Sequence, residues 1–340
     1  MDKRPTIRDV AKVAGVSMGT VSRVAAKAKA VNPDTRKRVE EVMRQVGYVP
    51  NIAARTMRTN RTKIVGLLLP DLANTVFIQL AKAAEHVLDA AGYTLFIYSS
   101  ERSAAREIQF LRLAAQYRMD GIIVSISDEA NQSVLKVLSG VESPMVLLDR
   151  DLSLKADVVF SDHAEAIQHV TSHLIELGHK RIALLTAPLG IRPGRERVRG
   201  YRAALREARL DVDETLIGHD YQTTKYGFAK TMELLKRPNP PTALIAGGDE
   251  IFYGVLRAVR QLNLAIPSDL SIVGADSRML AEVMNPPITM IDRDMSLVGE
   301  TAAELLMKRM ADTGAAESTH VYLPSEVILG RSTARPAGQR

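Results

Sequence analysis

From residue 64 onward the chain alternates short unbroken apolar runs with longer stretches of helical periodicity, and nothing else in it constrains the fold as tightly. Apolar runs at 64–69, 94–98, 122–125 and 145–148 are separated by predicted helices at 77–91, 104–117 and 132–138. The series resumes with runs at 181–185, 243–246 and 271–273 and helices at 163–177, 195–208, 226–235 and 251–262. A strand that is apolar at every position is buried on both faces. Joined through helices, such strands form parallel sheets covered on both sides. Two series predict two doubly wound α/β subdomains, with a cleft at the carboxyl ends of their strands.

The first 63 residues read differently. Thr6 opens a helix at 7–14, with Asp9 placed to reach back to the first turn, and Gly15 ends it. Ser17 caps a second helix at 18–25 that turns Val21 and Val24 inward. Asn32-Pro33 starts a third, with Pro at the first helical position where its missing N–H costs nothing, and Gly47 stops it. Two short helices joined by a tight turn at Gly15, followed by a third, form a helix-turn-helix unit. Its second helix enters the major groove, with Met18 and Gly19 at the base edges and Arg23 one turn further on. Arg23 can donate two hydrogen bonds to a guanine; Met18 offers only apolar contact. Thr6, Ser17, Thr20, Ser22, Asn32 and Tyr48 are candidate phosphate partners.

Charge supports this reading. Residues 1–63 hold 15 Lys and Arg against 5 Asp and Glu, whereas the rest of the chain holds 30 against 34. A basic head on a mildly acidic body marks a polyanion-binding module joined to a body with another task.

Cysteine is absent, which excludes disulfides, thiol catalysis and cysteine zinc sites. No apolar run nears the roughly 18 residues of a membrane span, and the opening MDKRPT is too polar for a signal peptide, so a cytoplasmic protein without membrane contact is expected. No phosphate-binding loop, dinucleotide fingerprint or HExxH zinc motif occurs. His169 and His173 stand four apart, but a helical His pair with no definite third ligand reads as surface or packing. No cofactor, no metal and no enzymatic reaction are expected.

The stretch TIRDVAKVAGVSMGTVSRV, continued by VNPDTRKRVEEVMRQVGYVPNIAARTMRT, resembles the amino-terminal region of the lactose/purine repressor (LacI-type) family, and the likeness runs on to LPSEVILGRST near the end. The resemblance implies a three-domain layout: a DNA-binding head at 1–50, a hinge helix and linker at 51–63, and an effector-binding and dimerisation body at 64–340. In this family the body is built like periplasmic sugar-binding proteins, with three crossings between its subdomains. The expected subdomains are 64–160 with 290–320, and 163–288 with 321–333. The implied hinge helix carries Asn51, Arg55, Met57 and Arg58. Met57 stands where relatives place a leucine wedge in the minor groove, and the arginines flank it on phosphate.

The resemblance also assigns the cleft. Asn74 and Phe77 follow the first strand, Arg102 the second, Ser125 the third and Asp149 the fourth. The second subdomain adds Phe160, Arg197 (within RERVRGY), Tyr221, Asp249, Asp276 and Arg293. Asp249 and Asp276 are expected to accept sugar hydroxyls, with Phe77, Phe160 and Tyr221 stacking on a ring. Gly248 replaces an amide common in relatives, and Arg293 a residue that is often uncharged. With Arg102, Arg197 and one of Arg192 or Arg195, these departures point to a sugar acid such as gluconate or ketogluconate, ahead of a neutral sugar or phosphosugar.

The expectation is a transcription regulator, a repressor, acting as a homodimer on a near-palindromic operator, since the STARPAGQR tail lacks the leucine heptads of tetrameric relatives. The rivals are a same-fold regulator controlled by a partner protein and a solute-binding receptor.

Overall fold

The computed structural model describes residues 5–25, 30–49, 61–220, 222–312 and 317–337. It divides into two compact units, residues 1–62 and 63–340.

The first unit is three helices, α1 (Ile7–Ala14), α2 (Met18–Ala25) and α3 (Pro33–Val46). The Asp9 carboxylate accepts from both the Thr6 amide (2.8 Å) and the Thr6 hydroxyl (2.7 Å), fixing the first turn of α1. The Ser17 hydroxyl accepts the Thr20 amide at the start of α2 (3.1 Å), and Asn32 Oδ1 accepts the Asp34 amide at the start of α3 (2.9 Å). Gly15 and Gly47 close α1 and α3 at φ of 64° and 67°, a left-handed conformation that glycine adopts without a Cβ penalty. Val10, Ala11, Ala14, Val21, Val24, Val39 and Val42 form one small core.

The second unit holds two six-stranded sheets. The first sheet has β1 (Ile64–Leu69), β2 (Thr94–Ser99), β3 (Gly121–Val124), β4 (Met145–Leu148), β5 (Asp157–Ser161) and β11 (His320–Leu323), in the order β11-β5-β4-β3-β1-β2. All its pairings are parallel. Helices α4 (Val76–Ala90), α5 (Ala104–Gln116), α6 (Gln132–Leu138) and α12 (Met295–Ala311) accompany it. The second sheet has β6 (Ile182–Thr186), β7 (Ile217–His219), β8 (Ala243–Ala246), β9 (Ser271–Ala275), β10 (Thr289–Asp292) and β12 (Glu326–Ile328), in the order β12-β10-β9-β8-β6-β7. Only the β10–β12 pair is antiparallel. Its helices are α7 (Ala164–Glu176), α8 (Arg192–Glu207), α9 (Thr224–Leu235), α10 (Asp249–Gln261) and α11 (Arg278–Val283).

β1, β3, β4, β6, β8 and β9 are buried along nearly their whole length, as strands covered on both faces must be. β2 is an edge strand and leaves Phe96 and Ile97 exposed. Where α12 crosses α4, Gly299 lies against the Leu80 backbone, which has no room for a Cβ.

The subdomain boundaries differ from the sequence expectation. The whole of β10 belongs to the second sheet, because Met290 and Ile291 pack into that subdomain's cores. The whole of β11 belongs to the first, because it pairs with the edge of β5. The second and third crossings therefore fall just after residues 292 and 323 rather than at 289–290 and 320–321.

Candidate functional site

On the head, Val21 and Val24 turn α2 inward, and the opposite face of that helix is open. Met18 is 49 % exposed, Gly19 and Arg23 are exposed, and Arg23 Nε donates to the Gly19 carbonyl (3.3 Å). Thr6, Ser17 and Asn32 are exposed at the starts of the three helices. Thr20 is half-buried and shares a 3.0 Å hydroxyl–hydroxyl bond with Ser17. Ser22 is half-buried, and half-buried Tyr48 packs on the head core. The hinge residues Asn51, Arg55, Met57 and Arg58 lie outside the described residues, as does Tyr221.

In the body each sheet reverses its strand order beside its first strand, between β1 and β3 and between β6 and β8. In such sheets ligands bind at the carboxyl ends near the reversal, where loops diverge and leave a crevice. A cleft with a cavity volume of about 100 Å³ lies there. Pro70 follows β1, Ser125 follows β3, Asp149 follows β4, Ala187 follows β6 and Arg293 follows β10, and all five line it. Asn74, Phe77, Arg102 and Arg197 line it too. Asn74 Oδ1 caps the first turn of α4 through the Val76 amide (3.0 Å). Arg102 and Asp149 sit at φ of 57° and 49°, and Asp276 at 63°. Non-glycine residues held there cost about 1–3 kcal/mol each, strain that clusters at ligand sites.

Most of the arginine charge is already answered by carboxylates. Arg102 pairs with Asp71 (2.7 Å) and donates to the Gln222 carbonyl (3.1 Å). Arg293 makes a two-pronged bond to Asp276 (2.7 and 2.8 Å) and approaches Asp149 (3.5 Å). Arg192 stacks on Phe160 (4.2 Å) and lies 3.5 Å from Asp149, and Arg195 pairs with Glu129 (2.5 Å). Arg197 differs. It is buried, its nearest carboxylate is Asp276 at 3.9 Å, and its Nη1 has no hydrogen-bond partner among the described residues. A buried N–H without an acceptor costs about 1–3 kcal/mol, which a ligand oxygen in the cleft would recover.

The charges shift one another. Burial lowers Arg197 to about 10, with help from neighbouring Arg293, so it stays cationic at neutral pH. Burial opposes ionisation of Asp149 and Asp276, yet the first is held below the usual carboxylate range by His163 and Arg293, and the second by Arg293. Burial pushes His163 down to about 4. At neutral pH His163 is thus uncharged; since ionised Asp149 can only accept, His163 Nε2 carries the proton of their 3.1 Å bond. Burial and the nearby Asp276 raise Asp249 to about 6.

Three expected ligand contacts sit elsewhere. Phe160 is packed in the first subdomain's core, edge-on to His320 and beneath Arg192. Both Asp276 oxygens accept from Arg293, so Asp276 holds that arginine in place. Asp249 is fully buried and accepts from Thr75 (3.1 Å) and the Glu250 amide (2.8 Å). Neither Asp276, Asp249 nor Phe160 lines the cleft. Conversely, Val76, Leu80, Met295, Val298, Ile191 and Pro193 give it an apolar wall, and Ser127, Gln222 and Arg150 line it as well. Arg150 had one sequence signal, a charged residue two positions past the buried strand MVLL.

His173 and His179 are structural: His173 bonds Thr333 (3.1 Å), and His179 bonds Thr242 and the Ala334 carbonyl (both 2.8 Å). Among the described residues no cluster of His, Asp and Glu is arranged for a metal ion, and no helix is long and apolar enough to cross a membrane.

A helix-turn-helix head on a two-subdomain body with a cleft at its strand ends defines the class of DNA-binding transcription regulators. Residues 6–51 match the model for bacterial regulatory proteins of the lacI family, and residues 171–333 match that for a periplasmic binding protein-like domain. The chain is 33 % identical over 310 residues to the HTH-type transcriptional repressor PurR of Aliivibrio salmonicida, covering 90 % of this chain and 92 % of that one. It is 31 % identical to the HTH-type transcriptional regulator DegA of Bacillus subtilis, covering 97 % and 98 %. Among solved structures it superposes on the lac repressor dimer bound to operator and the anti-inducer ONPF with a TM-score of 0.85 (27 % identity, 98 % of this chain and 100 % of that one). A CelR–cellobiose complex gives 0.74 at 29 % identity, covering 97 % and 100 %. The chain belongs to the LacI family of DNA-binding transcription regulators, and it is not an enzyme.

Proposed function

We propose that this regulator is a repressor that binds a near-palindromic operator as a homodimer and is controlled by a sugar acid held in the body cleft. The outer face of α2 is the reading surface: Met18 and Gly19 approach base edges and Arg23 a guanine or phosphate. Thr6, Ser17, Thr20, Ser22, Asn32 and Tyr48 hold the head on phosphates. The hinge segment with Asn51, Arg55, Met57 and Arg58 carries the minor-groove contact. Exposed apolar side chains on the first subdomain, Leu72, Ile78, Phe96 and Ile97, support a partner of the same kind there.

The observation that carries the effector reading is Arg197 Nη1, a buried donor with no acceptor among the described residues, on a side chain that lines a cleft whose other arginines are mostly ion-paired. A carboxylate oxygen suits it better than a hydroxyl, because a charge-assisted bond is roughly twice as strong. The polyol chain would then contact Asn74, Ser125 and Gln222, with Phe77 and the apolar wall against its carbon face. Ligand binding changes how the two subdomains meet, and with that the free energy of seating two heads on one operator, a coupling of about 1–3 kcal/mol.

Calorimetry with gluconate, 2-ketogluconate and glucose tests this. The expected result is binding of an acid, none of glucose at the same concentration, and a loss of at least about tenfold in Arg197→Met. Tight glucose binding, or acid binding unchanged in Arg197→Met, would overturn it.

A further inference from the structure

Helix α8, which carries Arg197 into the cleft, has a poorly made start of its own. Its N-cap position is Ile191, whose side chain has no oxygen to offer, and its first turn holds no acidic residue. It opens instead with Arg192 and Arg195, two cations at the positive end of the helix dipole. Three other helices of the body are capped by the residue just before them: Asn131 caps α6, Thr223 caps α9 and Asp294 caps α12. Left to its own residues, the first turn of α8 would fray.

The missing acceptor comes from the other subdomain. Glu129, in the loop between β3 and α6, lies 63 positions earlier in the chain than Arg192. Its Oε1 accepts the Arg192 amide (2.7 Å) and its Oε2 the Arg195 guanidinium (2.5 Å). The Glu129 amide donates in turn to the Gly190 carbonyl (3.1 Å). The Glu129 side chain is 7 % exposed, so its carboxylate is committed to this contact and not to solvent. On its own side Glu129 faces the buried Arg150, whose cation it favours, while Arg195 disfavours it. One carboxylate thus stands between a guanidinium of each subdomain, and without it the two cations would repel across the joint.

We infer that Glu129 is a positioning residue for effector control: it caps α8 from across the cleft, so that closing the two subdomains and ordering the start of the Arg197 helix are one event. When the subdomains part, α8 loses this acceptor, the turn ahead of Arg197 loosens, and the guanidinium is no longer held for a ligand acid. The effector is therefore bound by the closed arrangement, which Glu129 stabilises before any ligand arrives. This deepens the sugar-acid reading, since it takes Arg197 as the group that meets the ligand; the cap itself does not depend on what the ligand is.

Hydrogen exchange read by mass spectrometry on the full chain tests the cap, and calorimetry with gluconate tests the link to control. Without gluconate, Glu129→Ala should speed exchange over 192–198 by at least about fivefold and leave the other helices of the second subdomain unchanged. Glu129→Gln keeps an acceptor for the Arg192 amide but gives up the ion pair, and should fall between Ala and wild type. It decides the matter if Glu129→Ala does not fold. Gluconate binding should weaken by at least about threefold in Glu129→Ala, because less of the protein is closed. Exchange at the start of α8 that is the same in all three proteins overturns the cap. Faster exchange with gluconate affinity unchanged overturns the link to control. Faster exchange in the variants, with no gluconate binding by the wild type, overturns the sugar-acid reading and leaves the cap standing.

Discussion

Thr75 and Asp249, 174 positions apart in the chain, are joined across the cleft: the Thr75 hydroxyl donates to Asp249 Oδ2 at 3.1 Å. Thr75 stands at the start of α4 in the first subdomain and Asp249 opens α10 in the second, so the bond forms only when the subdomains meet. Arg102 to the Gln222 carbonyl and Arg195 to Glu129 make the same crossing. Replacing Thr75 by Val leaves Asp249 with one hydrogen bond fewer in a buried site, at a cost of about 1–2 kcal/mol to the closed arrangement. Small-angle scattering without ligand should find Thr75→Val more extended than wild type; an identical scattering profile would count against the latch.

The same carboxyl makes stability pH-dependent. Asp249 is raised to about 6 by burial and by Asp276, from an ordinary value near 4. Between those values the folded form binds more protons than the unfolded one, so this group adds stability as pH falls from 7 towards 4. Asp249→Asn removes the titration. The stability of wild type relative to Asp249→Asn, followed by thermal melting, should therefore rise by about 1–3 kcal/mol from pH 7 to pH 4.5. A constant difference would refute the assignment.

His163 works in the opposite sense. Its folded value of about 4 lies below the ordinary value near 6.5, so the unfolded chain takes up the proton first. Its contribution is complete above about pH 6.5 and is lost as pH falls towards 4. Relative to His163→Gln, the wild type should lose about 2–3 kcal/mol over that interval. Ring signals of His163 that titrate near 6.5 in the folded protein would contradict this.

Gly299 tests the packing of α12 on α4. A Cβ there would strike the Leu80 backbone, and helix backbones cannot part without opening the core between them. Gly299→Ala should cost about 1–3 kcal/mol or more of stability, read by denaturant unfolding. A neutral effect would mean that the helices separate freely.

How much was legible in the residues depends on how local each signal is. The head reads directly, because Asp9 on Thr6, Ser17 on Thr20 and Asn32 on Asp34 are all capping bonds within three positions. The buried central strands also read directly, since each is an apolar run bounded by polar turns. β5, β7, β10, β11 and β12 were not legible, being three to five residues long and specified by pairing with distant strands. The cleft was half legible. Asp149, Arg197 and Arg293 line it as expected, but which arginine keeps a buried N–H without an acceptor among the described residues is a three-dimensional fact: Arg293 takes both oxygens of Asp276, and Arg102 takes Asp71. Phe160 lies along a strand buried on both faces, so its place in the core follows from sheet position and not from residue type.

The recognition face can be examined residue by residue. Arg23→Ala should weaken binding to the preferred duplex by about 5–150-fold if the guanidinium reads a guanine, and relax the preference at that base pair. Met18→Ala should weaken binding less and alter discrimination at one A·T pair. Equal losses on preferred and random duplexes would move both side chains from bases to phosphates.

The most direct measurement is the affinity of the full chain for a duplex selected from a random library, taken at fixed salt with and without a saturating sugar acid. The account predicts a selected sequence with two related half-sites about one helical turn apart, and an affinity that the acid changes by about 5–150-fold. A protein that enriches no sequence, or one whose operator affinity stays the same while the acid demonstrably fills the cleft, would contradict it.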